Sequence, residues 1–227
     1  MLVCVFSDSH RLHNQIELPR ADMIICAGDF TSTGTIPEFS AFMHWFSNLD
    51  QYEHKLVING NHELGFWKQP DLFKSMIPEN VTLLHDSDVT IEGIKFYGTC
   101  HTQEYYNWAF PYFDEEEAAV LWAKIPDDTD FLIAHQPAYG VNDYVKRLDT
   151  GEDDHRIGCK VLMNRIKEVS PKVFVSGHLH DSANYGTVKQ GETLFVSACT
   201  CDDNYVPLRK PIVLDYDNYL SEVTVVE

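Results

Sequence analysis

The sequence predicts an α/β fold with a chemical site at the carboxyl ends of its strands. Three observations predict it. Short apolar runs rich in Val, Ile and Phe recur along the chain, and each leads at once into a polar turn. Those runs are continuous rather than alternating, which marks strands buried on both faces. Helical patterns lie between several of them, and strand–helix alternation gives an α/β architecture.

The elements follow in order. Residues 2–6 run into Ser7-Asp8-Ser9-His10. This opening stretch is apolar but short and lacks a basic region, so it reads as a first buried strand rather than a signal peptide. Residues 23–27 run into Gly28-Asp29, and 56–58 into Asn59-Gly60-Asn61-His62. Residues 131–134 end at His135, and 173–175 run into Ser176-Gly177-His178-Leu179-His180. The segment 37–49 carries Phe39, Phe42, Met43 and Phe46 at helical spacing, with Thr35 as a cap. Segments 115–124 and 158–169 are two further helices. Stretches 193–198, 211–216 and 222–226 are strand-dominated and predict a second sheet packed on the first. A chain of 227 residues suits one domain, 1–227, burying about 70% of its unfolded surface.

Composition narrows the function. The chain has 17 Lys and Arg against 35 Asp and Glu, a formal net charge of −18. That argues against extended nucleic acid, which needs a basic stripe, and against anionic membrane surfaces. No run of about twenty apolar residues offers a membrane span. The six cysteines, Cys4, Cys26, Cys100, Cys159, Cys199 and Cys201, show no CxxC spacing and read as reduced thiols of a cytoplasmic protein.

In open α/β sheets, ligands bind beyond the carboxyl ends of the strands. Five strands here end in residues that bind metals. Asp8-Ser9-His10 is a DxH, Gly28-Asp29 a GD and Gly60-Asn61-His62-Glu63 a GNHE. His135 stands alone after its strand, and Gly177-His178-Leu179-His180 is a GHxH. Each is weak by itself; five in this order, each after a buried strand, are not. Imidazole and carboxylate donors suit Mn, Fe, Zn or Co, and two such ions can clamp the attacking and leaving oxygens of an in-line displacement.

From Val3 to His180 the series resembles the calcineurin-like metallophosphoesterase superfamily. Gly28-Asp29-Phe30-Thr31, Tyr97-Gly98-Thr99, Asn107-Trp108 and Asn204-Tyr205-Val206-Pro207 are similar to its metallophosphoesterase-domain-containing (MPPED-type) group, close to class III cyclic-nucleotide phosphodiesterases. The resemblance implies a four-layer αββα sandwich of two mixed sheets. It implies two divalent ions, one held by Asp8, His10, Asp29 and His180, the other by Asp29, Asn61, His135 and His178, with a bridging hydroxide as nucleophile. It leaves His62 free as a general acid or charge stabiliser, with Glu63 either orienting it or simply solvated. Several animal members of the MPPED-type group carry Gly where His178 stands and are weak enzymes. This chain keeps the histidine, which implies a complete second site.

The expected activity is hydrolysis of a small phosphodiester, a cyclic nucleotide or similar compound. Phosphomonoesterase is the main alternative, with nuclease and non-catalytic scaffold behind it. His13, His101, Asn107 and Trp108 are candidate substrate contacts, and the aromatic residues 105–113 either stack a base or pack as a lid. His44 is assigned to its helix, Cys199 and Cys201 to buried thiols, and Glu152-Asp153-Asp154 to a solvated loop.

Overall fold

The computed structural model describes residues 1–145, 155–181, 184–220 and 222–226. The acidic run Glu152-Asp153-Asp154 lies outside them. The first strands are β1 (Leu2–Phe6), β2 (Met23–Cys26), β3 (His54–Ile58), β4 (Thr82–Leu84), β5 (Ser87–Ile91), β6 (Ile94–Thr99), β7 (Thr102–Gln103) and β8 (Pro111–Tyr112). They are followed by β9 (Phe131–Ala134), β10 (Tyr144–Val145), β11 (His155–Arg156), β12 (Val173–Ser176), β13 (Gly186–Gln190), β14 (Thr193–Ser197), β15 (Ile212–Asp217) and β16 (Glu222–Val226). The helices are α1 (Ile36–Ser47), α2 (Leu64–Lys68), α3 (Pro70–Lys74), α4 (Glu115–Trp122) and α5 (Lys160–Val169).

Two six-stranded mixed sheets form the centre. One has the order β16-β15-β1-β2-β3-β4, the other β13-β14-β12-β9-β6-β5. In each, four adjacent strands run parallel (β1 to β4; β14, β12, β9, β6) and the outer strands antiparallel.

The continuous apolar runs follow from this layering, because alternate residues of a strand must satisfy two apolar faces. Val3, Val5, Ile25 and Ile58 meet Phe131, Ile133, Val173 and Val175 between the sheets. Cys4, Phe6, Ile24 and Val57 point outward onto Phe39, Phe42 and Phe46 of α1. Leu132, Phe174 and Phe195 do the same on the other side, against Trp122 of α4 and Leu162 and Ile166 of α5. The result is the expected αββα order.

Helix α1 starts where Thr35 and Pro37 predict. The Glu38 carboxylate accepts from the Thr35 N–H at 3.2 Å, closing the capping box. Residues 97–99, given in the sequence only as a stretch carrying the family resemblance, end strand β6 inside the second sheet. Parallel register sets the candidate motifs side by side: Phe6 pairs with Cys26, and Cys26 with Val57. The turns after β1, β2 and β3 therefore emerge together, facing those after β9 and β12.

Candidate metal centre

Each candidate ligand sits just past a parallel strand. Asp8 and His10 follow β1, Asp29 follows β2, and Asn61 and His62 follow β3. His135 follows β9, and His178 and His180 follow β12. Backbone bonds lock these turns to one another. The Asp8 N–H donates to Gly28 O at 3.0 Å, His10 N–H to Asp29 O at 3.0 Å, and Gly177 N–H to His135 O at 3.3 Å. Asp8, His10, Asp29 and His178 all have positive φ, at 53°, 40°, 52° and 74°. Non-glycine residues adopt that region only when the surroundings impose it, and such strain gathers at functional sites.

The side chains converge. His180 Nε2 lies 3.4 Å from Asp8 Oδ1 and 3.0 Å from His10 Nε2. His135 Nε2 lies 3.1 Å from both Asp29 Oδ2 and Asn61 Oδ1. Among the described residues, three clusters have donor atoms within 4.8 Å of one another: Asp8, His180 and Cys199; His10, Asp29 and His62; Asp29, His135 and His178. Asp29 belongs to two of them.

The far side of each ring fixes its tautomer. Nδ1 of His10 faces Thr31 O at 3.2 Å, and that of His62 faces Ser32 O at 2.7 Å. Nδ1 of His135 faces Ala27 O at 2.8 Å, and that of His180 faces Asp202 O at 3.0 Å. A carbonyl oxygen only accepts, so all four Nδ1 atoms are N–H donors and the Nε2 lone pairs point inward.

This arrangement is electrostatically incomplete without cations. Two Nε2 lone pairs meet at His10 and His180, and three acceptors meet at Asp29, Asn61 and His135. Burial alone would raise the pKa of Asp8, but the His180 and His135 imidazoles hold it well below the carboxylate range. Asp29 is also lowered against its burial, by His135 and His62. Burial would depress His135, yet the Asp29 charge lifts it to about 10. A proton there stands in for a missing positive charge. Burial pushes His10 and His178 down to about 4, so they are neutral donors at pH 7. The donor set fits two borderline divalent ions.

Glu63 is fully buried, so the solvated alternative is corrected. Its carboxylate accepts from the N–H groups of Asp29 (3.1 Å), Thr31 (2.9 Å) and Gly60 (2.6 Å) and from the Thr31 hydroxyl (2.9 Å). It clamps the GD and GNHE turns together and does not touch the His62 ring. Burial, then the Asp29 charge, push it up to about 8 against those hydrogen bonds.

The four candidate substrate contacts separate. Trp108 stacks on His62, ring centroids 3.9 Å apart and planes at 24°. Asn107 is exposed in the same loop. His13 is buried beneath α1 against Phe42 and Trp45, in the core rather than at the mouth. His101 pairs with Asp86 at 3.0 Å and lines a separate apolar cleft with Phe66, Trp67 and Phe110. Tyr205, marked in the sequence only by its family-like stretch, also reaches the site. Its ring lies edge-on to His10 and His180 at 4.7 and 4.9 Å. Cys199, read as a buried thiol, is buried and also near Asp8 and His180. Its signals in the sequence are the CxC it forms with Cys201 and its place two residues beyond β14.

A family model described as calcineurin-like phosphoesterase matches residues 1–182. The chain belongs to that family. It is 36% identical to human metallophosphoesterase domain-containing protein 1 over 94% of this chain and 70% of that protein. A UPF0046 protein of Caenorhabditis elegans is 32% identical over 93% of this chain and 73% of that one. Among solved structures, GAP50, "the anchor in the inner membrane complex of Plasmodium", superposes with a TM-score of 0.58 at 11% identity, over 99% of this chain and 83% of that one. That likeness concerns the fold alone. As a family member, the chain is a metal-dependent phosphoesterase with a dinuclear site.

Proposed function

We propose that this phosphoesterase hydrolyses small phosphodiesters, a cyclic nucleotide or similar compound, in preference to monoesters. The observation that carries the reading is the charge around the site. Among the described residues, no Lys or Arg forms an ion pair with Asp8 or Asp29. Arg11, next to His10, pairs with Glu38 at 3.6 Å. Arg209 turns its guanidinium onto the carbonyl oxygens of Cys199, Cys201 and His180. With no such ion pair at these carboxylates, the reading favours a monoanionic diester, which needs less added positive charge than a dianionic monoester. The chain's formal charge of −18 disfavours long polyanions for the same reason.

In this reading Asp8, His10, Asp29 and His180 would hold one divalent ion and Asp29, Asn61, His135 and His178 the other. When bound, such ions would supply Lewis acidity and make the attacking water more acidic. The protein's own groups do the rest. The Nδ1 hydrogen bonds of His10, His135 and His180 aim their Nε2 atoms, and the main-chain bonds between turns fix the distance between donor sets. His62, with Nδ1–H held by Ser32, presents Nε2 to the leaving oxygen; the doubly protonated ring gives its Nε2 proton to that oxygen as the ester bond breaks and is left as the neutral Nδ1–H form.

The test is hydrolysis of bis-p-nitrophenyl phosphate and p-nitrophenyl phosphate by metal-stripped protein reloaded with Mn²⁺. The diester is turned over faster, and Asn61→Ala loses both activities. Faster monoester hydrolysis would instead make the chain a phosphomonoesterase.

A further inference from the structure

We infer that Trp108 is a positioning residue for His62 rather than a binding surface for substrate; this rests on the phosphoesterase reading above. Three contacts hold the His62 ring. Ser32 O takes its Nδ1–H at 2.7 Å, the His10 ring meets it edge-on at 4.6 Å and 73°, and the Trp108 indole covers one face at 3.9 Å. The hydrogen bond fixes one ring atom and leaves the ring free to swing about that point. A near-parallel indole removes the swing. It leaves Nε2 directed at the site, 3.8 Å from Asp29 Oδ2.

The loop that delivers Trp108 is anchored to the same turn. The Ala109 N–H donates to Asn61 O at 2.9 Å, the residue just before His62. Ala109 and Phe110 are buried, and Thr102 N–H donates to Phe110 O at 3.1 Å. Tyr106 and Asn107, immediately before the tryptophan, both have positive φ, at 49° and 59°. The indole is thus carried by a backbone tied to the metal turn. Trp108 is half-buried, with one face taken by His62.

A positioning role has a signature that a substrate contact lacks. Proton donation matters most when the leaving group is poor. The experiment compares methyl phenyl phosphate with methyl p-nitrophenyl phosphate, two monoanionic diesters that differ in the basicity of the departing oxygen. With the metal-loaded protein, Trp108→Leu lowers kcat for the phenyl ester by about tenfold or more and for the nitrophenyl ester much less. KM for both stays within about twofold of wild type, and Trp108→Phe restores most of the loss. A raised KM with unchanged kcat makes Trp108 a substrate contact and overturns the inference. An equal fall on both esters with loss of bound metal makes it merely structural and does the same.

A second readout is independent of turnover. The carbon-bound ring protons of His62 resonate upfield in the wild type, shielded by the indole, and move downfield in Trp108→Leu. Should the wild type hydrolyse no phosphate ester, the phosphoesterase reading fails while this one is decided by the spectrum. Unmoved His62 signals would end it.

Discussion

At the residue scale, two neighbours in one turn divide the work. His62 is the half-buried member, its ring close to His10 and Asp29 and steered by Ser32 and Trp108. Its replacement by Ala is expected to lower kcat by about 10²–10⁴-fold while bound metal, read by elemental analysis, stays unchanged. Glu63 is the buried member and its task is structural. Removing its carboxylate orphans three buried N–H donors, each worth about 1–3 kcal/mol when left unpaired, and leaves the Thr31 hydroxyl only His62 O, though local relaxation recovers part of that. Glu63→Ala should therefore lower the stability of the metal-free protein by about 3 kcal/mol or more, read from urea unfolding. The two roles could not be told apart in the sequence. Both residues are polar and follow the same glycine, and only the tertiary approach of the Asp29 turn decides which one points inward. His13 and His101 show the same gap. A histidine near a motif in sequence is placed by what packs over it, and here that is Phe42 and Trp45 in one case and Asp86 in the other.

At the element scale, the sequence was most readable where strands are buried on both faces. Strands β1, β2, β3, β9 and β12 are continuous apolar runs, and the chemistry lies in the turns that follow them. Their periodicity and their polar endings carry the same message. Strands β4 to β6 were missed because β5 alternates half-buried and exposed residues, and Gly98 interrupts β6. That glycine has a packing reason, since a Cβ there would lie 2.7 Å from Ile58 Cγ2. Gly60 has a functional one. A Cβ at Gly60 would collide with the Asp29 side chain and lie 2.6 Å from Asp29 N and 2.8 Å from His135 Cε1. Gly60→Ala should weaken metal affinity by about 10–100-fold, measured by competition with a chromophoric chelator. Gly140, where a Cβ meets nothing within 4 Å, is the contrasting position, although its φ of +93° adds strain of its own.

At the scale of the whole molecule, charge and burial set how the protein responds to pH and to partners. No described helix is long and apolar enough to cross a membrane. The formal charge of −18 predicts that double-stranded DNA stays unbound even at low salt, checked by fluorescence anisotropy. His13 makes stability pH-dependent. Burial lowers its pKa from 6.5 to about 4, and its Nδ1 has no hydrogen-bond partner. The neutral ring is the one the fold accepts, so its contribution is complete above pH 6.5. That contribution is lost as pH falls toward 4, by about 2 kcal/mol after allowance for solvent screening. His13→Phe keeps an aromatic ring against Phe42 and Trp45 and should flatten this limb of the stability–pH curve, read by urea unfolding across pH 4–7. The other buried histidines share an environment with the metal ligands, so the comparison is made with metal-free protein.

The claim on which the rest depends is that the turns of both sheets together hold two divalent ions, with Asp29 common to both. Its most direct measurement is the stoichiometry of Mn²⁺ bound to metal-stripped protein by equilibrium dialysis, with His178→Ala and Asp29→Asn alongside. The account predicts two ions per chain, one retained in His178→Ala, and loss of high-affinity binding at both sites in Asp29→Asn. A single ion in the wild type, or two undiminished ions in Asp29→Asn, would contradict it.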